Sequence, residues 1–206
     1  MIHFQKKIIY IARPKTGSAT LRNILEQAGF QSFENLFGRL LILKVCNILH
    51  MHFSCLDHIN LHVIKKCLEI KFPKLKLSNF YIFTTIRNPW DKLTSAYRYT
   101  VEYFRTEHTF ESYISKALKM KIFSLEYMCF DGSNDGCNEY IDMNDIGSKV
   151  KNLLSRFDIQ IKNEVFNKKL METKKSMHYR MYYNEVNRKL VNDVFKYEID
   201  RFGYSF

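Results

Sequence analysis

Proline and glycine are scarce. Three prolines and seven glycines punctuate 206 residues, and no Ser-, Gly- or Pro-rich linker or internal repeat interrupts them, which makes one domain over residues 1–206 the simplest organisation. Long apolar runs are also missing. Stretches such as residues 40–43 (LLIL) fall far short of the ~20 residues needed to cross a bilayer, so no transmembrane segment is expected. The opening MIHFQKKIIYIARPK carries charge inside a short apolar stretch and has no small-residue cleavage site, unlike a secretory leader. Five cysteines (46, 55, 67, 129, 137) lack any CxxC spacing. An odd, irregular set reads as reduced, mostly buried thiols in a cytoplasmic protein rather than as a disulfide framework.

Positive charge is what the chain has in excess. Thirty-two Lys and Arg against 21 Asp and Glu give a formal charge of +11, while 46% hydrophobic and 15% aromatic content is too rich for a disordered basic tail. A folded protein with anionic partners follows. Nucleic acid, phosphate cofactors, acidic glycans and membrane surfaces all satisfy that description, so the anion has to be chosen by motifs.

Periodicity sets out the fold. Residues 7–12 (KIIYIA) form a β-branched run that breaks at Arg13-Pro14, and Leu21, Ile24, Leu25 and Ala28 then recur at helical spacing over residues 18–28. Residues 79–86 (NFYIFTTI) repeat the pattern: a strand halted by Arg87-Asn88-Pro89, then a helical stripe of Leu93, Ala96, Tyr97 and Val101. Helices are expected at 36–49, 60–70, 109–119, 146–157 and 185–201, the last with Val186, Leu190, Val194 and Tyr197 as its core face, and an irregular stretch at 129–144. Alternating strands and helices imply an α/β fold, a parallel sheet flanked by helices.

The first strand–helix loop, Arg13-Pro14-Lys15-Thr16-Gly17-Ser18-Ala19-Thr20, reads as an anion cradle. Such a loop turns successive amides and a helix N-terminus toward one point. Gly17 permits close backbone approach, Lys15 brings a mobile charge, and Thr16, Ser18 and Thr20 bring short donors. It is not a Walker A loop, because Lys15 precedes the only glycine. A nucleoside triphosphate kinase or hydrolase on the same fold thereby loses most of its support. Arg87 ends the second strand at the sheet's carboxyl edge, and Ser95, two turns into the next helix, can face the same pocket; guanidinium plus hydroxyl makes a phosphate clamp.

These segments resemble a known family. PKTGSAT at 14–20, FTTIRNPWDKLTSAY at 83–97, and the closing Tyr182-Tyr183, Leu190-Val191 and Ile199-Asp200-Arg201-Phe202-Gly203-Tyr204-Ser205-Phe206 are similar to the motifs of carbohydrate sulfotransferases. The resemblance implies a P-loop-type fold and an enzyme that moves a sulfuryl group from 3′-phosphoadenosine 5′-phosphosulfate to a sugar hydroxyl without a metal. It further implies that Arg87 and Ser95 hold the 3′-phosphate while Lys15, Thr16, Gly17, Ser18 and Thr20 hold the 5′-phosphosulfate. The product is 3′,5′-adenosine bisphosphate.

Sulfuryl transfer needs a base for the acceptor proton, and histidine suits neutral pH. HMHFS at 50–54 resembles the segment that supplies the base in uronyl 2-O-sulfotransferases, which nominates His52 with His50 beside it, and Lys15 for the charge on the leaving oxygen. His58 and His62 read as an exposed helix face rather than a metal site; His108 and His178 carry no signal. The chain departs from the family after Tyr140, where Ile141 and Asp142 run directly into a helix, so Glu126 and Asp142 are only weak acidic candidates. Asn167-Lys168-Lys169 stands where the family has a nucleotide-touching loop, without its serine. The expected partner is a carbohydrate or glycan acceptor, acidic or lipid-linked among the options, and not nucleic acid. The competing reading is a non-enzymatic basic module binding nucleic acid or anionic glycan. Acceptor identity and oligomeric state are left open.

Overall fold

A computed structural model describes residues 1–49, 58–105, 107–132, 134–167 and 177–206, with Asn163 and Asn167 described by backbone alone. In chain order the elements are β1 (Ile2–His3), β2 (Ile8–Ile11), α1 (Ser18–Gln27), α2 (Phe33–Phe37), α3 (Arg39–Ile48), α4 (Leu61–Lys71), β3 (Tyr81–Ile86), α5 (Pro89–Phe104), α6 (Phe110–Ala117), α7 (Leu125–Cys129), β4 (Phe130–Asp131), β5 (Asn134–Asp135), β6 (Glu139–Asp142), α8 (Ile146–Arg156), α9 (Glu185–Val194) and α10 (Lys196–Phe202). The main sheet has the order β1-β2-β3-β6, and β4 and β5 form a separate hairpin.

The sheet is mixed. β2 and β3 are parallel with Tyr10 opposite Phe83, β3 and β6 are parallel with Ile86 opposite Asp142, and the two-residue β1 runs antiparallel along β2. All four residues of β2 are buried, which is what a central strand covered on both faces requires. Its side chains alternate between two cores. Ile8 and Tyr10, with Phe83 and Ile141, pack under α1 and α8. Ile9 and Ile11, with Ile82, pack under the helices of the other face. The chain is therefore α/β, with helices on both sides of the sheet. Among the described residues no helix is long and apolar enough to cross a membrane.

Three expectations are corrected. The helix read at 36–49 is broken by Gly38, whose φ of 81° is open to glycine and strained for other residues, into α2 and α3. The stretch at 129–144 contains β6, a third parallel strand. Of its four residues only Ile141 is buried, so it lacks the apolar run that marked β2 and β3. The C-terminal helix is two helices, and of the face read for it only Tyr197 packs against the core: Val186, Leu190 and Val194 are exposed, while Asn187, Val191, Phe195 and Ile199 face the interior. Cys46, Cys67 and Cys129 are buried as expected and Cys137 is half-buried; Cys55 lies outside the described residues.

Candidate anion site at the carboxyl edge of the sheet

The β2–α1 loop has two residues in the left-handed region, of which only Lys15 is disfavoured there. Lys15 has φ 60° and Gly17 has φ 80°, and Gly17 is the N-cap of α1 with no side-chain cap. The first amides of α1 thus rely on something other than a capping side chain. Glycine is needed here for packing as well as for backbone angle: a Cβ on Gly17 would stand 2.5 Å from Ile146 Cδ1 and 3.2 Å from Met143 Cγ. The space read from sequence as room for a ligand is filled on that side by α8.

Thr16 is fully buried. Its hydroxyl lies 3.0 Å from the Arg13 carbonyl and 2.7 Å from Thr85 Oγ1, which is in turn 3.1 Å from the Tyr10 hydroxyl. That chain of hydroxyls pins the loop to β2 and β3, so the side chain of Thr16 faces the core. Ser18 is buried and its carbonyl accepts from Arg22 Nε at 3.4 Å; Thr20 is half-buried in the first turn of α1.

Lys15 and Arg87 meet across the sheet edge. Arg87 follows the last residue of β3, and its Nη1 donates to the Lys15 carbonyl at 2.9 Å while its Nε donates to Asp91 Oδ2 at 2.7 Å. The Lys15 ammonium sits 4.2 Å from the centre of the Tyr99 ring, a cation–π contact worth about 1 kcal/mol. Burial, and then the Arg87 guanidinium alongside, push Lys15 down to about 8, with Glu102 pulling the other way. Two half-buried cations that repel each other form a site that an anion would relieve.

α5 holds the site from below. Asn88 caps it by accepting from the amides of Trp90 and Asp91, and Pro89 occupies its first turn. Asp91, Ser95, Tyr99 and Tyr103 follow at intervals of four residues and so share one ridge, rising about 6 Å per step. Asp91 touches Arg87, Tyr99 touches Lys15, and buried Ser95 lies between them on that ridge. Of the three expected companions, Lys15 and Arg87 are thus in contact, while Ser95 shares only the helix ridge of their partners Asp91 and Tyr99.

Sequence reasoning missed a buried ionic cluster beneath this site. Arg13 is fully buried, its Nη2 donating to Glu198 Oε1 at 2.6 Å and to the Phe123 carbonyl at 3.1 Å. Lys92, also fully buried, donates to both Glu198 oxygens at 3.2 and 3.1 Å and to the same carbonyl at 3.0 Å. The Leu125 amide adds a third donor to Glu198 at 3.0 Å. Two cations share one carboxylate. Burial outweighs the pull of Glu198 and lowers the pKa of Lys92; for Glu198, burial alone would raise it, and Arg13 and Lys92 hold it below the ordinary carboxylate value. The available signal was Lys92 within an otherwise apolar helical face, Leu93 and Ala96 being its neighbours.

The proposed bases His50 and His52 lie outside the described residues, as do Lys168 and Lys169. His58 was expected on an exposed helix face, and that is corrected. It precedes the Asn60 N-cap of α4, and its Nδ1 lies 2.9 Å from the carbonyl of Ala12, where β2 runs into the loop. A carbonyl only accepts, so Nδ1 carries the hydrogen of that bond. His62 instead faces Asp131 at 3.5 Å, which also binds Lys65 at 2.6 Å. Among the described residues no group of three or more His, Cys, Asp or Glu is placed to hold a metal ion.

Asp142 ends β6 opposite Ile86, next to Arg87 along the sheet edge, and accepts from the Tyr204 hydroxyl at 2.9 Å. Glu126 accepts from Ser124 at the start of α7 at 2.8 Å. The chain's last residues close over the Arg87 segment: Asn88 Nδ2 donates to the Ser205 carbonyl at 2.9 Å, Tyr183 donates to the Trp90 carbonyl at 2.9 Å, and the Trp90 and Phe206 rings meet edge to face at 5.6 Å. The segments at 14–20, 83–97 and 182–206, distant in the chain, form one structural unit. No protein-family model, curated protein or solved structure matches the chain.

Proposed function

We propose that the chain is a sulfotransferase that moves the sulfuryl group of 3′-phosphoadenosine 5′-phosphosulfate to a carbohydrate hydroxyl, on a P-loop-type α/β scaffold. The observation that carries this reading is the meeting of Lys15, Arg87 and the Ser95 ridge at the carboxyl edge of a parallel sheet, where α/β folds bind their ligands. Two phosphate-bearing ends suit two cations better than one phosphate does. Arg87, oriented by Asp91, is suited to the 3′-phosphate with Ser95; Lys15 and the amides at the start of α1 are suited to the 5′ end.

In the reaction the acceptor oxygen bonds to sulfur as the bond from sulfur to the 5′-phosphate oxygen breaks. Lys15 stabilises the charge left on that oxygen, and the acceptor proton passes to a histidine. His52 is the expected base, and His58 is the described histidine nearest the loop in its bonding. Mutating each separates them.

The test is transfer of labelled sulfate from the donor to a panel of unsulfated oligosaccharides. Transfer to at least one, reduced roughly 10²- to 10⁴-fold by His52→Ala but with bisphosphate binding retained, is the expected result. Loss with His58→Ala instead would move the base. Mg²⁺-dependent ATP turnover, or nucleic-acid binding that is steeply salt-dependent and indifferent to Lys15 and Arg87, would replace the reading with a kinase or a basic binding module.

A further inference from the structure

We propose that Tyr103 and Phe104, at the end of α5, form the platform on which a pyranose ring of the acceptor stacks. This rests on the sulfotransferase reading for its reaction but on a different set of contacts. Tyr103 is 56% and Phe104 66% exposed. Large aromatic side chains left in water side by side mark a binding surface more often than isolated exposed residues do. They are not isolated from the anion site. Tyr99 is 4.5 Å from Tyr103 and 6.1 Å from Phe104 between ring centres, and its other neighbour is the Lys15 ammonium at 4.2 Å.

An aromatic path thus leads from solvent to the lysine assigned to the leaving oxygen. The chemistry of a sugar fits it. A pyranose has an apolar face of C–H groups and a rim of hydroxyls, so stacking on a ring buries the face and leaves the hydroxyls directed sideways. From Tyr103 the path to Lys15 crosses a single further ring, Tyr99, so those hydroxyls are directed along the strip that ends at the lysine. Glu102, whose carboxylate acts on Lys15, borders the same strip and can accept from sugar hydroxyls. The position also divides labour along one helix: the ridge serves the donor at Asp91 and Ser95, holds Lys15 at Tyr99, and serves the acceptor at Tyr103.

The experiment titrates neutral hexose and hexuronate–hexosamine oligosaccharides onto the full chain saturated with 3′,5′-adenosine bisphosphate, by calorimetry. At least one is expected to bind, with affinity falling about 10-fold or more in the Tyr103→Ala/Phe104→Ala double variant and staying near wild type in Tyr103→Phe, which keeps the ring. Bisphosphate affinity is expected to change less than about 2-fold. Sugar binding unchanged by the double variant, no sugar bound at all, or a loss confined to bisphosphate affinity, which would mean that the rings stack on adenine, each overturns the platform. If wild-type protein binds sugar through Tyr103 but binds no bisphosphate, the platform stands and the donor reading falls.

Discussion

Lys15 and Thr16 are neighbours with opposite fates. From sequence both were donors in one cradle, since a lysine and a hydroxyl after a strand look alike as phosphate ligands. The fold separates them: Thr16 turns inward to Arg13 and Thr85, while the left-handed backbone at Lys15 throws its side chain outward onto Tyr99. What was not legible is the direction of a side chain in a loop with two positive-φ residues, because no periodicity governs it. Burial and Arg87 lower Lys15 to about 8. Its proton therefore leaves earlier in the folded protein than in the unfolded chain; the penalty for keeping it charged is largest below about 8 and is relieved as pH rises toward the unfolded value. Anion binding uses the charged form. Bisphosphate affinity should thus fall as pH rises through about 8, and Lys15→Met should bind more weakly with that part of the pH dependence removed, as calorimetry across pH 6.5 to 9.5 would show.

At the scale of elements, legibility followed apolar patterning. β2, β3, α1 and the Leu93, Ala96, Tyr97 and Val101 stripe of α5 were read close to their observed places because each has a continuous apolar run or a clear helical stripe. β6 was missed because an edge strand with one buried residue leaves little pattern. α9 shows a different failure. Val186, Leu190 and Val194 lie four apart and invite reading as a core face, yet Val191 faces the interior, in one cluster with Phe195 and Ile199. The two registers give opposite expectations. Val191→Ala should cost about 2 kcal/mol in urea unfolding, whereas Val186→Ala should stay within roughly 0.5 kcal/mol.

On the scale of the molecule, the Arg13–Glu198–Lys92 cluster ties the loop, α5 and α10 together two residues before Lys15 and one after Asp91. Glu198→Gln leaves two buried cations without their carboxylate and should destabilise the fold by about 3 to 5 kcal/mol, measurable as a lowered urea midpoint. Beyond Lys92 on an apolar helical face, no local pattern announces such a cluster, since its members lie far apart in sequence and Arg13 and Glu198 each read alone as a surface charge. The +11 excess by itself names no ligand, and two of its cations, Lys15 and Arg87, meet at one edge of the sheet. That meeting is the centre of the account, and calorimetric titration of 3′,5′-adenosine bisphosphate tests it most directly. Wild-type protein should bind, and Arg87→Ala, which removes a charge-assisted contact of about 2 kcal/mol, should weaken binding roughly 30-fold. No binding by wild type, or full affinity in Arg87→Ala, would contradict it.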